Sequence, residues 1–154
     1  SQDNLRSRDV FFEPFYLAAP KGHPVTAQGS VKASMLRANE MTLLHEGHCL
    51  NGQALDVCPA KHRGGAQRLQ ATGLETLRQM IASTGRYSLL PALAVGKNPP
   101  MGELIDYIPL SGQQIGRNIA IFWRASYRLT ENVDALVQTI CEHLPEEIQA
   151  LQPI

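Results

Sequence analysis

The chain has 154 residues, an apolar share of 44%, and 14 basic against 14 acidic side chains, so its formal net charge is zero. That length carries one ordinary domain or two small lobes with a real core. The charge balance leaves no electrostatic footprint for nucleic acid or an anionic membrane, and no apolar run approaches the roughly 20 residues of a membrane-spanning helix.

Three cysteines, an odd number, argue against a secreted disulfide framework and for a cytoplasmic protein with reactive or buried thiols. The polar residues 1–6 carry no signal-peptide pattern. In chain order, the aromatic-rich residues 10–19 predict a strand, and Pro14 within it implies an edge position, a bulge or a crossing between lobes. Residues 20–24 are a loop, and Ser30 can cap a short helix over 30–37 before a strand over 41–45. A helix starting at His48 or Cys49 follows the turn at Gly47. Lys61 to Gly65 form a basic, glycine-containing loop, and residues 67–72 alternate as a strand.

Leu74, Leu77, Met80 and Ile81 share one face of a helix that Gly85 ends. Residues 87–90 are a short buried strand, and Pro91 opens a helical turn at its first position. Residues 104–110 and 115–124 predict strands. Thr130 caps a last helix whose stripe is Val133, Leu136, Val137, Ile140 and Leu144, and Pro145 breaks it before a short tail. Strands alternating with helices place the chain in the α/β class.

The chemistry concentrates in His45-Glu46-Gly47-His48-Cys49-Leu50-Asn51-Gly52, followed by Cys58. If residues 48–58 form one helix, Cys49 and Cys58 lie about 180° apart around its axis and roughly 13 Å apart along it. A disulfide needs Cα atoms within about 7 Å, so the thiols join only if the helix unwinds. Gly52 lowers the helix's stability by about 1 kcal/mol relative to alanine, and closing so short a loop contributes roughly 2–3 kcal/mol. Near a helix N-terminus and beside His48, the Cys49 thiolate is favoured; Cys58, near the C-terminal end, meets the opposing dipole. Cys49 is therefore the expected nucleophile that becomes a sulfenic acid, and Cys58 the thiol that resolves it to a disulfide. Two plainer readings compete. The cysteines can be buried small hydrophobes, or His45, His48, Cys49, Cys58 and His62 can hold zinc, although their spacing fits no standard finger. Cys141, on the last helix, reads as a packed bystander, and His23, His45, His62 and His143 as solvated or packed residues outside the chemistry.

The Gly-His-Cys segment with its second cysteine at this spacing, the block Ala71-Thr72-Gly73-Leu74-Glu75-Thr76-Leu77-Arg78 and the block Leu89-Leu90-Pro91-Ala92-Leu93-Ala94-Val95 resemble the peroxide-sensing members of the LysR-type family of bacterial transcription regulators. The likeness runs from about Phe12 to the final helix. It implies a LysR-type effector or regulatory domain with a periplasmic-binding-protein-like α/β fold. Residues 1–12 would be a remnant of the first lobe, 13–124 the second lobe with the redox cysteines, and 125–154 the return to the first lobe. The implied function is sensing hydrogen peroxide by a reversible Cys49–Cys58 disulfide, without enzymatic turnover, cofactor or metal.

The implied partners are peroxide, further copies of the chain as a dimer or tetramer, DNA through an N-terminal domain absent from this sequence, and RNA polymerase, with no membrane. The resemblance also implies that His48 orients peroxide and that Arg124 is a polar partner of the reduced site. Asn51 and Gly52 stand where the family commonly has Arg-Asp, and Arg86 and Tyr87 where it often has Gly-Ile. Alternatives to peroxide sensing are a LysR-type domain that binds a small effector, its thiols incidental, and a stand-alone thiol peroxidase. No Thr-x-x-Cys motif of the peroxidase kind is present.

Overall fold

The structure, a computed structural model, describes residues 4–59, 69–112 and 114–151. The chain divides into two units, Ser1–Pro14 with Gly116–Ile154, and Phe15–Ile115. One strand, β1 (Leu5–Pro20), contributes to both, and the division follows Pro14. It is longer than the aromatic run because its polar residues also find ladder partners.

In the first unit, β1 pairs antiparallel with β6 (Gly116–Arg124), from Leu5 opposite Arg124 to Pro14 opposite Gly116, with a register shift between Asp9 and Phe11. Gly116–Arg124 belongs to the same unit as the start of the chain. Glycine is required at 116, because a Cβ there would collide with the Glu13 carbonyl oxygen and the Phe12 ring. Beside it, the buried Glu13 carboxylate accepts from Arg117 Nε at 2.8 Å. The expected tail contains a short strand, β7 (Gln149–Ala150), paired with Phe11 and Phe12.

The last helix, α4 (Thr130–Glu142), begins at Thr130 rather than being capped by it; Leu129 holds the cap position without a side-chain bond. Its buried stripe is Val133, Val137 and Cys141, each four residues from the next. Leu136, placed on that stripe by the sequence pattern, is 51% exposed.

In the second unit, the other half of β1 lies between β4 (Ser88–Pro91) and β5 (Ile105–Pro109), antiparallel to both. A separate parallel pair, β2 (Thr42–Leu44) with β3 (Leu69–Ala71), is bridged to the β4 region through Met41 and Tyr87. Residues 30–37 do not form the expected helix. Two 3-10 turns, Ala33–Met35 and Ala38–Glu40, stand there and just beyond it. Val31, Leu36 and Ala38 are all buried, a spacing no single helical face supplies, and a helix of one or two turns has little strength of its own.

α2 (Leu74–Thr84) ends at Gly85, whose φ of 70° is the left-handed conformation of a helix C-terminal glycine. Leu77 and Ile81 are buried, with Leu74 and Met80 packed at their edges. Pro91 is the cap of the one-turn α3 (Ala92–Val95), not its first residue. Arg78, buried on α2, donates from Nη2 to Ala94 O at 2.6 Å and from Nη1 to Glu75 Oε1 at 2.9 Å. It thereby joins the two blocks quoted above, residues 71–78 and 89–95, into one piece of framework. The loop expected at Lys61 to Gly65 lies outside the described residues.

Candidate functional site

The thiol segment starts from β2, which carries Leu43 and Leu44 into the core of the second unit. His45 N–H donates to Ala71 O on β3, so the chain leaves the sheet at a defined point. Glu46 and Gly47 then turn it, Gly47 with a φ of 109°. His48 N–H closes the turn on His45 O, and Asn51 N–H continues it on His48 O.

α1 is Cys49–Val57, with His48 as N-cap and Cys58 as C-cap, both extended. Cys49 is thus the first of the nine helical residues and Cys58 follows the last, and the rise of about 1.5 Å per residue holds them far beyond bonding reach. One periodicity explains their contrasting surroundings. Leu50, Ala54 and Cys58 recur every fourth residue and form the buried stripe. Cys49 precedes that stripe and is exposed, while Cys58 closes it at 1% exposure.

Cys58 sits among Leu36, Ala38, Met41, Leu43 and Tyr87, with its Sγ 3.3 Å from Met41 Sδ. Tyr87, read from sequence as the start of a buried strand, forms part of the floor under this end of α1. Its hydroxyl oxygen accepts from Arg37 N–H at 2.7 Å. Burial, reinforced by Glu40 and Cys58, keeps its phenol protonated well above the ordinary tyrosine range.

Asn51 was singled out in the sequence for the charge it lacks. In the fold it is buried, and its Nδ2 donates to Leu44 O, back across the loop. Gly52 is on the exposed face with open space where a Cβ would stand. Gln53 Oε1 is buried without a hydrogen-bond partner.

His48 is exposed and makes no side-chain cap bond. Arg124 is the exposed last residue of β6 in the other unit. Cys141 is buried, its Sγ 4.0 Å from Val10 O. Among the described residues, no group of three or more His, Cys, Asp or Glu side chains could hold a metal ion; His62 lies outside them. Nor is any described helix long and apolar enough to cross a membrane.

The LysR substrate binding domain model matches residues 1–145. The hydrogen peroxide-inducible genes activator of Haemophilus influenzae is 30% identical over 143 residues, covering 93% of this chain and 47% of that protein. The reduced form of the OxyR regulatory domain from Pseudomonas aeruginosa is 34% identical, with a TM-score of 0.76 over 92% of this chain and 68% of that one. The HTH-type transcriptional regulator EstR of Acinetobacter baylyi is 35% identical over 138 residues, 88% of this chain and 45% of that protein. The chain thus spans about half the length of the curated relatives it matches. With nearly all of its length matched, the chain belongs to the LysR substrate-binding-domain family and carries the α/β fold of the OxyR regulatory domains it is similar to.

Proposed function

We propose that this chain is the peroxide-sensing part of a LysR-type DNA-binding transcription regulator, working through a reversible Cys49–Cys58 disulfide rather than enzymatic turnover. The observation that carries the reading is the pair of thiols at opposite ends of α1, one exposed and one buried, with a helix between them that cannot survive their joining.

The chemistry balances with peroxide as the oxidant. The Cys49 thiolate attacks one peroxide oxygen, an S–O bond forms, the O–O bond breaks, and hydroxide leaves to take up a proton as water. The Cys58 thiol then attacks the Cys49 sulfur, an S–S bond forms, and the sulfenic oxygen leaves as a second water. A dithiol reductant reverses the change. His48, next to Cys49 in the chain, is the proposed peroxide-orienting group, and Arg124 the proposed polar partner of the reduced site.

In this reading DNA binding belongs to the part of the relatives' length that the chain does not span. Self-association, contact with RNA polymerase and a cytoplasmic setting follow from the same role. A second reading, a small-effector domain with incidental thiols, draws on the 35% identity to a regulator whose name carries no peroxide.

Intact mass and thiol counting before and after stoichiometric hydrogen peroxide separate the two. The expected product lacks two hydrogens, has lost two free thiols, and yields a Cys49–Cys58 cross-linked peptide that Cys49→Ser abolishes. If both thiols stay free, or Cys141 is cross-linked instead, peroxide sensing by this pair is wrong.

A further inference from the structure

Three backbone bonds and one side chain shape the loop that presents Cys49. Working outward, Asn51 N–H meets His48 O, His48 N–H meets His45 O, and His45 N–H meets Ala71 O. The Asn51 carboxamide then reaches back over the whole loop, and its Nδ2 donates to Leu44 O. Leu44 is the last residue of β2, and Asn51 is the third residue of α1. The bond therefore spans seven positions and closes a ring that contains His45, Glu46, Gly47, His48, Cys49 and Leu50.

Asn51 is buried, as is Leu44. A carbonyl in such a place needs its donor, because leaving a buried acceptor unmade costs more than the bond nets when formed. An exposed thiol at the first turn of a short helix would otherwise be held by backbone alone. Here its turn is tied to the sheet on both sides. Gln53, two residues further on, has a buried oxygen without a partner, and Gly52 between them weakens the helix. The tie at Asn51 thus opposes two features of α1 that favour its opening.

We infer that Asn51 is a positioning residue, a clasp that holds the Cys49-bearing turn against β2 in the reduced state and must release before Cys49 and Cys58 can join. The inference rests on the disulfide reading above. Asn51 lies between the two cysteines, so unwinding that segment to close the disulfide breaks the Nδ2 to Leu44 O bond. The clasp therefore favours the dithiol, and removing it favours the disulfide. It acts through backbone placement and contributes no atom to the reaction.

The test is the thiol–disulfide equilibrium of the 154-residue chain in graded mixtures of reduced and oxidised dithiothreitol, with the Cys49–Cys58 peptide quantified by mass spectrometry. Asn51→Ala is expected to shift the equilibrium about fivefold toward the disulfide, the factor matching one net hydrogen bond of ordinary strength. Asn51→Gln, which keeps an amide donor on a longer arm, is expected to recover part of that shift. In the reduced protein, hydrogen exchange across residues 45–52 should quicken in Asn51→Ala.

An equilibrium unchanged within twofold overturns the inference, as does a urea midpoint that falls equally in both redox states, which is what a merely structural role would give. If the alanine variant does not fold, Asn51→Asp, with the same outline and no amide donor, carries the same expectations. If the unsubstituted chain forms no Cys49–Cys58 disulfide, peroxide sensing fails first. Exchange then decides the clasp alone, with faster exchange in the variant supporting it and unchanged exchange removing it.

Discussion

Two helices of the second unit, α1 and α2, are built to opposite standards. α2 has eleven residues, an amphipathic face with Leu77 and Ile81 buried, a buried arginine tying it to α3, and a glycine in the left-handed conformation at its end. α1 has nine residues, a glycine within it, an extended C-cap, and a stripe ending in the small residues Ala54 and Cys58. Buried apolar area scales with side-chain size, so α2 is anchored by Leu and Ile where α1 relies on Leu, Ala and Cys. The lesson is that the fold anchors α2 more firmly than the neighbouring segment that carries the two thiols. On the proposed function α1 must unwind, and a helix with that task belongs at the low-stability end of the structure.

The largest effect that tests this contrast comes from α2. Leu77→Ala should cost about 2–5 kcal/mol of unfolding free energy in either redox state, read from urea titrations, with the dithiothreitol equilibrium of Cys49 and Cys58 little changed. A large change in that equilibrium would show that the two helices are not separate in function.

The floor under α1 comes next. Tyr87→Phe leaves the Arg37 N–H without its acceptor and should cost about 1–3 kcal/mol. Its pH dependence has a definite sign. The folded phenol stays protonated above its ordinary pKa of 10.0, whereas the unfolded phenol releases its proton there. The unfolded state then binds fewer protons, so the Tyr87 contribution is intact below pH 10 and falls as the pH rises beyond it. Unfolding free energies measured at neutral pH and above pH 10 should fall less steeply in Tyr87→Phe than in the unsubstituted chain.

The smallest effect lies in α1 itself. Gly52→Ala meets no neighbour and should strengthen the helix by about 1 kcal/mol. Because only the reduced state has that helix on this reading, the dithiol gains and the couple becomes more oxidising by about 20 mV. A shift in the opposite direction in the dithiothreitol equilibrium would mean that α1 is not what the disulfide displaces.

Much of this was legible beforehand, and the reasons differ by residue. α2 announced itself because its apolar period, its N-terminal block and Gly85 all point to the same element. The opposed placement of Cys49 and Cys58 also followed from helical arithmetic alone. What escaped the sequence depends on partners far along the chain. The turns after Ser30 are set by where Val31, Leu36 and Ala38 find the core, and β7 exists only because Phe11 and Phe12 offer it a ladder. Thr130 failed as a cap because local composition cannot tell a cap from a first residue when no side-chain bond is made. Asn51 was the most misleading. Read by type, it is a missing charge; placed in the fold, it is a donor aimed at a strand carbonyl.

If the proposed disulfide chemistry holds, the burial of Cys58 beside Met41 sets its timing. Peroxide in solution meets Cys49 first, since Cys58 is only 1% exposed. Once Cys49 is a sulfenic acid, its lifetime is governed by how often α1 opens and lets the second thiol out, not by encounter between the sulfurs. At low peroxide that wait is harmless. At high peroxide a second oxidant molecule competes with the opening, and the sulfur passes to the sulfinic acid, which a dithiol cannot restore. On the proposed function, the opening rate of one short helix sets the upper limit of the oxidant range over which the pair remains reversible.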